Sequence, residues 1–216
     1  MSNFKYVLLD LDGTLTDPAL GITNSVIYSL RKFNIEVEDR KELYSFIGPP
    51  LTDSYMKYFG FSEEEALKAI DYYREYYKDK GIYENAVYNG VIDLLKVLKD
   101  KGKMLILATS KPEVFAKRIL VHFEMEKYFD FVAGSNLDGT RVKKDEVISY
   151  ALKSCNISDL SDAVMIGDRE HDIIGAKKTG LHSIGVLYGY GTKEELENAG
   201  ADLIAQRVED IEGLIS

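Results

Sequence analysis

The chain has 216 residues, 45% hydrophobic and 29% charged, with a formal net charge of −9. That length suits one large domain or a core carrying an insertion, and the acidic balance argues against a nucleic-acid-binding surface. No apolar run approaches the ~20 residues that span a membrane, and no charged-then-apolar leader precedes the first strand. A single cysteine, Cys155, rules out an internal disulfide and suits a reducing cytoplasm.

The first element is the apolar run Tyr6–Leu9, which predicts a strand buried on both faces of a parallel sheet. It ends in Asp10-Leu11-Asp12-Gly13-Thr14. Residues two apart on an extended chain point the same way, so Asp10 and Asp12 project together. Two such carboxylates repel unless a cation lies between them or one is protonated. Both remedies suit phosphoryl transfer. A calcium loop fails on register: from Asp10, position six is Leu15 instead of Gly and position twelve is Gly21 instead of Glu.

After Leu15 the strand–helix alternation stops. Asp17-Pro18 reads as a helix start, with Asp17 as N-cap and Pro18 in the first turn. Ile22, Val26, Leu30 and Phe33 keep helical spacing, and another helix is expected over Arg40–Phe46. Gly48-Pro49-Pro50-Leu51 is either a substrate-specificity loop or a plain interhelical turn. Helices over Leu51–Phe59 and Glu63–Lys80 follow, the second stopped by Gly81. Most of the 15 tyrosines fall between Tyr28 and Tyr88. Tyr72, Tyr73, Tyr76 and Tyr77 form one broad helical face, which means either packing against neighbouring helices or stacking on a nucleobase. Hinges are expected at Thr16–Pro18 and Gly81–Gly90.

From Val91 the alternation resumes. A helix is expected over Val91–Lys101, a strand over Met104–Thr109 and a helix over Glu113–Phe123. Lys144 begins the helical pattern Val147, Ile148, Ala151, Leu152. Short strands at Phe131–Ala133, Val164–Ile166, Ser183–Leu187 and Asp202–Ile204 complete a parallel sheet. The second of these runs into Gly167-Asp168, and Asp172 falls in the first turn of the following helix. In open α/β sheets ligands bind beyond the carboxyl ends of the strands. Asp10, Asp12, Asp168 and Asp172 all sit at such ends, and four converging acids suit Mg²⁺. Tyr188-Gly189-Tyr190-Gly191 either lines the phosphate end of that site or is a flexible loop before a helix over Glu194–Ala199. His122, His171 and His182 are scattered and form no metal cluster.

Asp10-Leu11-Asp12-Gly13-Thr14 and Gly167-Asp168 with Asp172 resemble the first and fourth signatures of the haloacid dehalogenase superfamily, in its phosphatase branch. Thr109 at a strand end and the lysine pair Lys143-Lys144 stand where the second and third signatures belong, with Lys144 preferred. The subgroup most similar is phosphoglycolate phosphatase-like and 5′-nucleotidase-like. The resemblance implies a three-layer, Rossmann-like parallel-sheet core, residues 1–16 and 84–216, with an all-helical cap inserted over residues 17–83.

It also implies roles. Asp10 is the nucleophile that becomes a phosphoaspartate. Asp12 is the acid/base, Thr109 holds the transferring phosphoryl group, and Lys144 offsets its charge. Asp168, the Asp10 side chain and the Asp12 carbonyl bind Mg²⁺, and Asp172 orients Mg²⁺-bound water or Lys144. Substrate contacts are expected from Thr109 and Ser110 and from Gly48, Pro49 and Pro50 of the cap. Lys111 is either a further phosphate contact or a surface lysine. The expected substrate is a small phosphorylated metabolite, a 5′-nucleotide or 2-phosphoglycolate, handled in the cytoplasm by a monomer or homodimer. A phosphomutase of the same fold (β-phosphoglucomutase type) and a non-catalytic Mg²⁺/phosphate-binding regulatory protein remain as alternatives. Asp12 argues against a dehalogenase, which lacks the second aspartate.

Overall fold

The computed structural model describes residues 4–215. The chain runs β1 (Tyr6–Leu9), β2 (Thr16–Asp17), α1 (Ala19–Arg31), α2 (Leu51–Phe59), α3 (Glu63–Tyr77), β3 (Ala86–Val87), α4 (Val91–Asp100), β4 (Met104–Pro112), α5 (Glu113–His122), β5 (Phe131–Ser135), α6 (Lys144–Ser154), β6 (Ala163–Gly167), α7 (Glu170–Thr179), β7 (His182–Val186), α8 (Lys193–Ala199), β8 (Leu203–Ala205) and α9 (Asp210–Ile215). It divides into a sheet-based unit, residues 1–17 and 87–216, and a helical unit, residues 18–86. Among the described residues no helix is long and apolar enough to cross a membrane.

The sheet-based unit is built on six strands in the order β5-β4-β1-β6-β7-β8. The pairings are parallel, with Leu8 opposite both Ile106 and Met165. The apolar runs at β1, β4 and β6 explain why these three strands are central: each is buried on both faces. On one face Leu8, Ile106, Ala133 and Met165 pack against Val147, Ile148 and Ala151 of α6 and Ala176 of α7. Full burial of one such Leu or Ile contributes about 1.5–3 kcal/mol. From β1 the chain goes to β4 and β5 on one side, then returns to β6 on the other. The carboxyl ends of β1, β4 and β6 therefore meet at the point where the winding reverses, which is where such sheets bind ligands.

The helical unit packs α1 and α2 against α3. Ser62 opens α3 with a reciprocal cap: its hydroxyl accepts from Glu65 N–H at 3.2 Å, while the Glu65 carboxylate accepts from Ser62 N–H at 2.8 Å. The Ser29 hydroxyl reaches across from α1 to the Ala69 carbonyl at 2.7 Å. The tyrosine face of α3 is satisfied within this unit. Tyr73 and Tyr77 stack at 5.1 Å, Tyr72 meets Phe33 edge-on, and Tyr76 meets Tyr28 at 5.7 Å. Every ring of that face has an intramolecular partner, which favours the packing account of the tyrosines.

Three expectations change. Asp17 does not cap α1: it lies in β2, its carboxylate accepts from the Tyr190 hydroxyl, and Pro18 occupies the N-cap position without a side-chain bond. Arg40–Phe46 forms a 3-10 helix instead of an α-helix. Asp39 holds its first turn through Lys41 N–H, and the extended Ile47 ends it before an i→i−4 ladder can lengthen. The last helix of the unit stops at Tyr77, and a separate 3-10 turn spans Gly81–Tyr83.

Candidate active site

The end of β1 is built first by its turn. Asp10 N–H donates to the Ile166 carbonyl at 3.0 Å, which keeps the end of β1 registered on β6. The chain then doubles back at Gly13, whose N–H donates to the Thr16 carbonyl at 2.8 Å and whose φ is +82°. A side chain there would be strained and would also overlap the Asp168 carboxylate. The glycine thus lets the first acidic loop lie directly against the acid at the end of β6.

Lys144 is the first residue of α6, almost completely buried, while Lys143 is exposed. Its ammonium lies 2.9 Å from Asp10 Oδ1 and 2.7 Å from Asp172 Oδ1, and it donates to the Ala108 carbonyl at 3.1 Å. Burial works against this charge, but Asp10 and Asp172 outweigh it and hold the ammonium protonated, with its pKa raised. Asp172 in turn caps its own helix, accepting from Arg169 N–H at 3.1 Å through Oδ2.

On the other side Lys111 forms a buried ion pair with Asp12 Oδ2. Burial raises the Asp12 pKa and Lys111 opposes the rise. Lys111 is therefore no surface lysine. Thr109 is buried where the β4–β5 register shifts between Ala108 and Pro112, an irregularity of the kind that re-aims a side chain. Its hydroxyl oxygen accepts from Lys111 N–H at 3.3 Å, and Ser110 lies between them at partial burial. Gly48, Pro49 and Pro50 belong to the helical unit, in the connection between its 3-10 helix and α2, with Gly48 at φ +103°.

Asp10, Asp168 and Asp172 each offer a carboxylate oxygen within 4.8 Å of the others. The Asp12 side chain stands outside that trio. Asp168 Oδ2 accepts from Tyr190 N–H at 2.8 Å, whereas among the described residues its buried Oδ1 has no hydrogen-bond partner, and neither has Asp12 Oδ1. Burial and the neighbouring Asp172 hold the Asp168 carboxyl well above its usual range. Four carboxyl groups face two ammonium groups here, an excess of acids over cations. Oxygen donors and that excess fit a hard divalent cation such as Mg²⁺.

One contact was not foreseen in the sequence: Lys111 reaches Asp12. Of the two readings of Tyr188–Gly191, the loop lies on Asp168 rather than standing free of the site.

The fold agrees with comparison to known proteins. The pattern of the haloacid dehalogenase-like hydrolase family matches residues 7–186, and this chain belongs to that family. It is 46% identical over 193 residues to a 5′-nucleotidase of Pseudomonas aeruginosa, covering 89% of this chain and 87% of that protein. It is 36% identical over 202 residues to the tyrosine-protein kinase PtkA of Mycobacterium tuberculosis, covering 93% and 68%. The crystal structure of a predicted phosphatase from Clostridium acetobutylicum superposes with a TM-score of 0.96 at 56% identity, covering 99% of both chains.

Proposed function

We propose that this hydrolase is a Mg²⁺-dependent phosphomonoesterase working through a phosphoaspartate on Asp10. The observation that carries the reading is Lys144, which bridges Asp10 and Asp172 beside an unpartnered Asp168 oxygen. In the first step Asp10 attacks phosphorus, the bond from phosphorus to the ester oxygen breaks, and Asp12 gives its proton to the departing alkoxide. In the second, Asp12 takes a proton from water as that water attacks the phosphoaspartate, releasing phosphate and restoring Asp10. The raised pKa of Asp12 suits a carboxyl that must hold a proton at the start. Thr109 and Lys111 hold phosphoryl oxygens, and Lys144 offsets the charge of the transferring group and aims Asp10. When bound, Mg²⁺ supplies two positive charges against the transferring group. Asp168 and one Asp10 oxygen would hold it with the Asp12 carbonyl, while Asp172 is occupied in orienting Lys144.

The helical unit acts as the cap, and Gly48–Pro50 is its candidate substrate-selecting loop. Nucleoside 5′-monophosphates and 2-phosphoglycolate are the leading substrates, the first supported by the name of the 46%-identical relative. The enzyme acts in the reducing cytoplasm, where Cys155 needs no partner. A second reading passes the phosphoryl group to an acceptor other than water, as a mutase or kinase does; the relative named a kinase favours it.

Phosphate release from a panel of 5′-nucleotides, phosphoglycolate, hexose phosphates and p-nitrophenyl phosphate, with Mg²⁺ and with EDTA, separates these readings. Mg²⁺-dependent release with one preferred ester is expected. Loss of ester without phosphate release means transfer to another acceptor, and no turnover at all means a binding protein.

A further inference from the structure

The loop after β7 touches three parts of the sheet-based unit at once. Tyr190 N–H donates to Asp168 Oδ2 at 2.8 Å, and the Tyr190 hydroxyl donates to the carboxylate of Asp17. The Tyr188 hydroxyl donates to the Thr14 carbonyl at 3.0 Å. Tyr88 meets the Tyr188 ring edge-on at 5.2 Å and shares a side-chain hydrogen bond with Tyr190. The two glycines of the loop are demanded by proximity: a side chain at Gly189 would overlap the Gly13 carbonyl and Asp168, and one at Gly191 would overlap the Asp168 carbonyl. Asp17 is the last residue of the sheet-based unit before the chain enters α1.

These contacts divide the two oxygens of Asp168. Oδ2 is taken by a backbone N–H that cannot leave without moving the loop. Oδ1 is left buried and, among the described residues, without a hydrogen-bond partner. The loop keeps that N–H in place only if it is itself held, and its far end is held by the Tyr190 phenol on Asp17. Burial raises the Tyr190 pKa, so the phenol remains a donor.

We propose that Tyr190 is a positioning residue for the cation site: anchored on Asp17, it fixes which oxygen of Asp168 is presented to Mg²⁺. The proposal rests on the reading of Asp168 as a Mg²⁺ ligand. It ties the point where the chain leaves the sheet-based unit to the geometry of a metal ligand some 150 residues away, through one phenol and one amide.

The test is Mg²⁺ titration calorimetry on the whole protein without substrate, for wild type, Tyr190→Phe, Asp17→Ala, the double variant, Asp17→Asn and Asp168→Asn. Losing one hydrogen bond to a charged acceptor is expected to weaken Mg²⁺ binding about tenfold in Tyr190→Phe and in Asp17→Ala. The double variant should be no weaker than Tyr190→Phe, because that change already removes the bond to Asp17. Asp17→Asn, which still accepts from the phenol, should stay within about twofold of wild type. A merely structural role would lower the melting temperature while leaving Mg²⁺ affinity unchanged. Unchanged affinity in folded Tyr190→Phe or Asp17→Ala overturns the proposal. If Tyr190→Phe does not fold, Asp17→Ala against Asp17→Asn decides the matter alone. Should Asp168→Asn abolish binding while Tyr190→Phe leaves it intact, only this proposal fails; should Asp168→Asn bind like wild type, the metal reading fails with it.

Discussion

Lys144 and Asp10 form the pair around which the site is organised, 2.9 Å apart and both almost fully buried. The lysine is fixed by its place at the start of α6 and by a second carboxylate, Asp172, so it cannot follow Asp10 if Asp10 moves. Asp10 is thereby held in one position before any substrate arrives.

Removing that cation should hurt both function and stability. Lys144→Met leaves Asp10 and Asp172 facing each other with no positive charge between them. The turnover number should fall by about 100-fold or more. Unfolding free energy in EDTA should drop by about 3–5 kcal/mol, the usual result of orphaning a buried charge. Steady-state phosphate release and denaturant titration check these. A variant within about threefold of wild-type turnover would remove Lys144 from the mechanism.

Lys111 should tune Asp12. It opposes the burial that raises the Asp12 pKa, so Lys111→Met raises that pKa further. The first step needs Asp12 protonated, and kcat/KM should therefore persist to higher pH than in wild type. KM for the phosphate ester should rise too, because a phosphate contact is lost. A pH–rate profile with an unchanged alkaline limb would separate Lys111 from Asp12.

Mg²⁺ stabilisation should grow with pH. Burial and Asp172 raise the Asp168 carboxyl, and burial pushes Asp172 up to about 6 against the pull of Lys144. A carboxyl raised in the folded state binds its proton more tightly there than in the unfolded chain. The contribution of these two carboxyls to metal-free stability is therefore greatest at low pH and is lost as pH climbs from about 4 through the raised values. Mg²⁺ takes the place of those protons. The melting temperature gained on adding Mg²⁺ should increase from about pH 5.5 to about pH 8. A gain that is flat or shrinks with pH contradicts the metal site.

The parts of the site that were legible in sequence are those with a local signal. The apolar runs before Asp10 and before Asp168 mark buried parallel strands, and their ends fall side by side because the winding reverses at β1. Lys144 was legible as a helix start, although only its burial separates it from Lys143. Asp17 misled because Asp-Pro is a strong local helix-start pattern, and its real partner, Tyr190, is 173 positions away. Lys111 and Asp12 are 99 positions apart, and no spacing rule reports such a pair. The bulge that carries Thr109 depends on how β4 meets β5, which a single strand's letters do not encode. Arg40–Phe46 has helical composition, but its short span between Asp39 and Ile47 tightened it to a 3-10 helix.

The nucleophile assignment also has a plain genetic consequence. Asp10→Asn should abolish turnover and leave the fold intact, since Asn is nearly isosteric and the Lys144–Asp172 pair remains. Circular dichroism matching wild type with no phosphate release is expected. Substantial residual turnover contradicts the assignment of Asp10.

The most direct test of the account is to trap the covalent intermediate. Asp12→Asn cannot activate water, so the phosphoryl group of p-nitrophenyl phosphate, which needs no proton to leave, should remain on the protein. After rapid acid quench, mass spectrometry should find one added phosphoryl group on the peptide holding Asp10, and none in the Asp10→Asn/Asp12→Asn double variant. An unmodified Asp10, in a variant that still releases one equivalent of p-nitrophenol, would contradict the phosphoaspartate mechanism.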